Sequence, residues 1–219
     1  MGTIEDNLRE HIQASIHNAF NNISKLPNEI LSMEGMSGHK TRHFLNNICN
    51  LPNKTYLEVG TYKGSSFISS LYDNNVHGLC IDHWGQFGGK DDFVANINKF
   101  ITHLPPKLNI IDKDCWTVTK DDIPNKIDIF MYDGVHTYED QKRAITYFKQ
   151  FLSEYCIIIV DDWKCDWVKV RDGTLDGLRD SGLKILYKEE IGLVNTYNFH
   201  QGGDTFWNGC GIFLCHNIN

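Results

Sequence analysis

The apolar positions of this chain change their period once, near Thr55. Before it, Leu8, Ile12, Ile16, Phe20 and Ile23 recur at helical spacing, and Phe44, Leu45 and Ile48 resume that spacing after the glycine-containing stretch MEGMSGHK. Two helices are therefore expected ahead of the core. After it, continuous apolar runs appear between turns: TYLEV, VHGLCID, LNIID, IDIFMYD, CIIIVDD, LKILY and GCGIFLCHN. Helical repeats separate them: a short helix around Ser66 to Leu71, one carrying Phe93, Val94, Ile97, Ile101 and Leu104 and stopped by Pro105-Pro106, one with Ala144, Tyr147, Phe148, Phe151 and Leu152, and one near Trp167 to Arg179. Unbroken Ile/Val/Leu runs are buried on both faces, as in a parallel sheet covered by helices. The expected fold is α/β, a doubly wound seven-stranded sheet, mostly parallel with an antiparallel last strand and preceded by N-terminal helices. The last two runs are joined by residues 192–209 without helical period, which predicts a closing antiparallel pair with a long surface loop. Residues 1–50 read as a helical cap on the same domain, and 51–219 as the sheet domain.

Composition narrows the function. The chain has 219 residues, 41% hydrophobic, enough to bury one core without staples. A formal charge of −7 and the lack of a Lys/Arg run argue against nucleic acid as a partner. Seven cysteines, odd in number, fall mostly in apolar runs with no C-x-x-C pair, which points to reduced thiols rather than bridges or structural zinc, with Cys210 and Cys215 in a core strand. The acidic start MGTIEDNLREHIQ lacks the apolar core of a signal peptide, and no apolar stretch approaches ~20 residues. A cytoplasmic protein with no membrane partner is expected; homo-oligomerisation is left open.

In an open sheet of this kind, ligands bind beyond the carboxyl ends of the strands. Those ends are acidic nearly throughout: Glu58, Asp82, Asp112 or Asp114, Asp133 and Asp161-Asp162. The first turn, YLEVGTYKGSS, places Gly60 and Gly64 where a ligand can approach the backbone, with Tyr62 and Ser65 in the same turn. Its G-x-x-x-G spacing is not the dinucleotide G-x-G-x-x-G, and Glu58 would repel a pyrophosphate but welcome an ammonium or sulfonium. S-adenosylmethionine carries both charges. Asp82 stands where two ribose hydroxyls would be held, and Asp114, in DKDC beside Cys115, where an adenine amine would be. His83, Trp84 and Phe87, in the HWGQFGG loop, are candidates to cover the adenine. KGSS reverses the Gly-Lys-Ser order of a phosphate-binding loop, so Lys63 reads as solvent-facing. His39 and His43, one turn apart, read as a solvated helix face or lid, and FHQGGDTFWNG as a stretch that could shape an acceptor pocket.

Asp133 closes the fourth apolar run and Asp161-Asp162 the fifth. Adjacent strands lie about 4.8 Å apart, so these acids can converge, and three converging carboxylates repel one another unless a cation sits between them. Oxygen ligands without thiols favour Mg²⁺, with Mn²⁺ or Ca²⁺ as substitutes. His136, just ahead of a helix start near Tyr138, is the candidate base, since a helix N-terminus disfavours a positively charged imidazole.

YLEVGTYKGSS, IDHW, YDGVHTYED and IIIVDDW together resemble the class I S-adenosylmethionine-dependent methyltransferases, and among them the metal-dependent macrocin and novobiocin O-methyltransferase group, over Thr55 to Trp163. The resemblance implies a Rossmann-like fold, S-adenosylmethionine as cofactor, Mg²⁺ on Asp133, Asp161 and Asp162, and His136 with Asp133 as the catalytic pair. It further implies O-methylation of a small-molecule hydroxyl, on a sugar or sugar-bearing compound first and a phenol second. Catechol-type relatives have asparagine where this chain has Asp162 and lysine where it has His136, which points away from a catechol. Two other readings compete: an NAD(P)-dependent oxidoreductase, and a non-catalytic Rossmann protein that binds S-adenosylmethionine or metal.

Overall fold

The computed structural model describes residues 2–102, 108–165, 169–192 and 205–218. Its strands are β1 (Thr55–Val59), β2 (His77–Asp82), β3 (Leu108–Asp112), β4 (Ile127–Tyr132), β5 (Leu152–Val160), β6 (Lys184–Ile191) and β7 (Cys210–His216). Its α-helices are α1 (Ile4–Phe20), α2 (Asn28–Leu31), α3 (His39–Ile48), α4 (Ser65–Leu71), α5 (Lys90–Phe100), α6 (Tyr138–Phe148) and α7 (Val170–Ser181). The strands form one sheet in the order β3-β2-β1-β4-β5-β7-β6, in which β7 runs antiparallel to both β5 and β6. This is the doubly wound, Rossmann-like arrangement that the apolar runs predict. The strand order reverses between β1 and β4, and that switch point opens a cleft at the carboxyl ends of the strands.

Period-two alternation within the runs divides the core between the two faces of the sheet. Tyr56, Cys80, Ile129, Met131, Ile157, Ile159, Ile212 and Leu214 face one side, where they pack with Ile12, Phe44, Phe67 and Phe93 of α1, α3, α4 and α5. Leu57, Val59, Leu79, Phe130, Tyr132, Ile158 and Phe213 face the other, against α6 and α7. The N-terminal helices thus supply part of the first core layer.

Local differences from the sequence reading have physical causes. Three helices precede β1 rather than two, because Pro27 opens a single four-residue turn, α2, too short to show a period. Phe20 and Ile23 extend the apolar stripe in sequence but remain about half exposed, at 52% and 54%. Helix α7 starts at Val170 rather than near Trp167, and residues 166–168 lie outside the described residues. Leu104, the Pro105-Pro106 stop and residues 193–204 of the late connection also lie outside them. All seven cysteines are free thiols, with Cys210 and Cys215 fully buried in β7 as expected. Among the described residues no helix is long and apolar enough to cross a membrane.

Candidate active site

Strand register aligns the site. Val59 of β1 pairs with Ile81 of β2 and with Tyr132 of β4, and Tyr132 pairs with Val160 of β5. The next residues, Gly60, Asp82, Asp133 and Asp161, therefore stand at one level along the sheet edge. Backbone bonds carry the alignment past the strand ends: Asp133 N–H donates to Val59 O at 2.9 Å, and Asp161 N–H to Tyr132 O at 3.2 Å. Gly60 has φ +87°, and a Cβ there would come within 2.1 Å of Asp133 O. Only glycine lets the first turn lie against the tip of β4.

A cavity of about 550 Å³ opens above this edge, within the range of small-ligand sites. Of the residues expected to hold a cofactor, Gly60, Tyr62, Ser65, Asp82, His83, Trp84, Asp114, Cys115 and Asp133 border it. His136, Asp161 and Asp162 border it as well, so the structure brings the acids and the histidine to one place.

Glu58 and Gly64 stand behind its wall. Glu58 shares the face of Tyr56, is fully buried, and accepts Tyr56 Oη–H at 2.5 Å and Ser66 Oγ–H at 2.6 Å. Gly64, at φ +89°, turns the chain into α4. Burial pushes the Glu58 carboxyl up from 4.5 to about 7. Because the folded value lies above the unfolded one, the stability that Glu58 contributes is present below pH 4.5 and is lost as pH rises through about 7. A gap of that size is worth on the order of 3 kcal/mol. Glu58→Gln should therefore lose less stability than the parent between pH 5 and pH 8 in urea unfolding; equal losses would show that Glu58 does not titrate in this window.

Asp82 holds the turn itself. One carboxylate oxygen accepts the amides of Thr61 and Tyr62, both at 2.9 Å, and the other accepts the Trp84 amide at 2.7 Å. Trp84 in turn donates its indole N–H to Tyr62 O at 2.7 Å. Asp114 caps the short turn that follows β3, accepting the Trp116 amide at 3.0 Å while still facing the cavity.

At the tips of β4 and β5 the charges crowd. Burial, and then the neighbouring Asp161 and Asp162, raise the Asp133 carboxyl well above the usual carboxylate range. Burial and Asp162 raise Asp161 as well. His136 Nε2 lies 3.5 Å from Asp162 and 3.7 Å from Asp133, and its Nδ1 is 3.4 Å from the Gln141 amide nitrogen. Asp162 adopts φ +55°, rare for a residue with a side chain, and accepts Asn208 Nδ2–H at 2.7 Å. Strain of this kind collects at functional sites. Among the described residues no group of three or more His, Cys, Asp or Glu side chains is arranged to hold a metal ion.

Two expectations change, and a third is met in part. Lys63 is not solvent-facing; it is largely buried and bridges Glu34 at 2.8 Å and Asp92 at 3.0 Å. His43 is no solvated face, being 5% exposed with Nδ1 2.7 Å from Ser24 Oγ. Of the late FHQGGDTFWNG stretch, Trp207 and Asn208 border the cavity, and residues 199–204 lie outside the described residues. The sequence reading also missed Ser37, Trp116 and Tyr132 in the cavity wall and Gln141 behind His136. Gln141 carried a signal, since it lies five positions beyond His136 on α6.

Comparison with known proteins agrees with this architecture. Residues 57–163 match a family model described as a methyltransferase domain. An uncharacterized protein of Acanthamoeba polyphaga mimivirus is 27% identical over 141 residues, covering 61% of this chain and 63% of its own length. A solved structure described as a methyltransferase in complex with S-adenosylhomocysteine superposes with TM-score 0.59 at 13% identity, over 84% of this chain and 50% of that one. This chain thus spans less than two thirds of either protein. A Staphylococcus aureus protein described as a caffeoyl-CoA O-methyltransferase gives TM-score 0.54 at 14% identity, over 98% and 93% of the two chains. The strand order and the cavity at the switch point give this chain the Rossmann-like fold of these solved structures, and its residues 57–163 are similar to the methyltransferase-domain family.

Proposed function

We propose that this protein transfers a methyl group from S-adenosylmethionine to a hydroxyl oxygen of a small molecule, a sugar or sugar-bearing compound first and a phenol second, with a divalent cation assisting. The observation that carries the reading is the register that sets Asp82, Asp133 and Asp161 in one row beneath a cavity of about 550 Å³, with His136 at its wall. A sulfonium held over the row would favour the charged form of its carboxyls, and the Asp82 turn fixes the wall against which an adenosyl group would lie. Binding of this kind aligns the methyl carbon with the attacking oxygen.

His136 would take the hydroxyl proton through Nε2, the nitrogen turned toward Asp133 and Asp162. Met36, Phe87 and Val135 border the cavity while remaining about half exposed, a rim suited to an acceptor with an apolar body. The preference for a sugar-bearing compound rests on the sequence resemblance. Asp133, Asp161 and Asp162, not arranged as a metal site as they stand, would have to turn their oxygens together to hold the cation, Mg²⁺ before Mn²⁺ or Ca²⁺, as hard donors whose mutual repulsion a positive charge relieves. When bound, it would supply Lewis-acid polarisation of the acceptor oxygen.

Calorimetry with S-adenosylhomocysteine and NADH, followed by methyl-transfer assays on sugar and phenol acceptors with Mg²⁺ or EDTA, tests the reading. Binding of the adenosyl ligand alone and turnover that EDTA abolishes are expected. Stabilisation by NADH alone would move the protein to the oxidoreductases, and EDTA-insensitive turnover would remove the cation.

A further inference from the structure

Glu190, near the carboxyl end of β6, gathers three cations. Its Oε1 lies 2.8 Å from Lys188 Nζ and 3.3 Å from Arg171 Nη2, and its Oε2 lies 3.1 Å from Lys164 Nζ. In every other Lys or Arg ion-pair group among the described residues, acids equal or outnumber cations. Here, on a chain of net charge −7, the cations exceed the acid by two. The neighbouring Lys169–Asp172 pair, at 3.9 Å, adds no net charge. Burial alone would raise the Glu190 carboxyl, but Lys188, Trp163 and Lys164 bring it down to about 2, so it stays ionised. Three like charges around one carboxylate repel one another. Glu190 takes one contact from each, which leaves further N–H donors on two ammonium groups and a guanidinium. Lys188 and Arg171 are partly exposed, so those donors are open to a ligand.

Strand register places this cluster on the sheet edge where the acids stand. Glu190 of β6 and Val160 of β5 both pair with Gly211 of β7. Glu190 is therefore level with the residue just before Asp161, two strand spacings or about 10 Å to one side. Paired residues share a face, and Val160 faces the α6 and α7 side, the side on which His136 precedes α6. The Lys164 amide donates to Asn208 O at 2.7 Å, and Asn208 borders the cavity and bonds Asp162. We propose that Lys164, Arg171 and Lys188 form an anion site for the phosphoryl group of a phosphorylated sugar acceptor whose hydroxyl reaches His136, the acceptor role resting on the methyl-transfer reading. A phosphoryl group carries about −1.5 to −2 charges near pH 7, which matches an excess of two, and its three oxygens suit donors converging from three side chains. A carboxylate would leave one charge unbalanced. A cavity lined by acids would by itself repel such an acceptor, and a cationic anchor beside the row offsets that repulsion. A sugar ring with its phosphate spans a separation of this order.

Calorimetry on the full chain at fixed ionic strength, with inorganic phosphate and acetate as probes, tests the site. The parent should bind phosphate and prefer it to acetate. Arg171→Gln combined with Lys188→Gln, which leaves Lys164 to pair with Glu190, should weaken phosphate binding by about tenfold or more, the value of hydrogen bonds to a charged group. Lys142→Gln combined with Arg179→Gln removes the same charge from α6 and α7, where Asp180 and Asp176 balance it, and should leave phosphate binding unchanged. No binding by the parent, no preference over acetate, or equal losses in the two double variants overturns the phosphoryl site. In methyl-transfer assays the Arg171 and Lys188 double variant should raise KM for a sugar phosphate by about tenfold and that for the unphosphorylated sugar far less. Equal shifts for the two acceptors overturn the acceptor role. Failure of the parent to bind S-adenosylhomocysteine would strike the methyl-transfer reading and the acceptor role with it, whereas phosphate binding would still decide the anion site.

Discussion

His136→Ala is expected to lower methyl transfer by about 10²- to 10⁴-fold, the range a positioned general base contributes, while leaving affinity for S-adenosylhomocysteine nearly unchanged. The separation follows from where the imidazole is held. His136 sits between the tip of β4 and α6, and Thr137 fixes that helix start by accepting the Asp140 amide at 3.1 Å. Nε2 faces Asp162 and Asp133 at 3.5 and 3.7 Å, whereas the turn against which the adenosyl group would lie is held by Asp82 on another strand. Removing the ring therefore removes a proton acceptor without disturbing the cofactor wall. Gln141 decides which ring nitrogen is free. It is fully buried, lies 3.4 Å from His136 Nδ1, and its carbonyl is 3.2 Å from Thr174 Oγ1. For Nε2 to accept a proton, Nδ1 must carry the hydrogen and give it to the Gln141 oxygen, with the amide turned toward His136. Single-turnover kinetics and calorimetry on the same preparation check the result. Equal falls in rate and affinity would mean that His136 shapes the pocket rather than moving a proton.

The row of acids was legible because each central strand is an unbroken apolar run that stops on a carboxylate, and parallel register converts equal stopping points into spatial neighbours. The direction of each side chain was less legible. Glu58 reads as one more strand-end acid, yet it lies between Leu57 and Val59, which face the α6 and α7 side, so alternation turns it toward Tyr56 and Ser66 beneath the first turn. That alternation was present in TYLEV, but the acidity of the residue concealed it. Lys63 and His43 failed for a different reason. Their partners, Glu34 and Asp92 for the lysine and Ser24 for the histidine, lie 19 to 29 positions away, and no local period carries that information. Register gathers Asp133, Asp161 and Asp162 at one edge but does not fix how their side chains turn, so it does not by itself make a metal site.

Arg42→Ala is expected to destabilise the fold by about 3–5 kcal/mol, the usual cost of removing one member of a buried charged network. In sequence, HKTRHFLNNI looks like a half-solvated helix, and nothing nearby explains a buried arginine. The explanation lies in the chain that wraps back over α3. The end of α2 and the segment after it turn three carbonyls, those of Ile30, Leu31 and Met33, toward a single guanidinium nitrogen. Such carbonyls cannot be reached by alanine, and each buried acceptor left unpaired costs about 1–3 kcal/mol. Replacing both partners of a buried polar pair by apolar groups can be neutral, but here only one partner is side chain, so the backbone acceptors remain whatever stands at position 42. Against a typical domain stability of about 5–15 kcal/mol, the loss takes up a large fraction of what holds the protein folded. Urea unfolding followed by circular dichroism should show a midpoint displaced far below that of the parent, and the displacement should exceed that of Ser37→Ala, which removes a single acceptor at the cavity edge. A loss below about 1 kcal/mol, the level of an ordinary surface change, would show that water reaches the segment between α2 and α3 and that Arg42 is not what secures it.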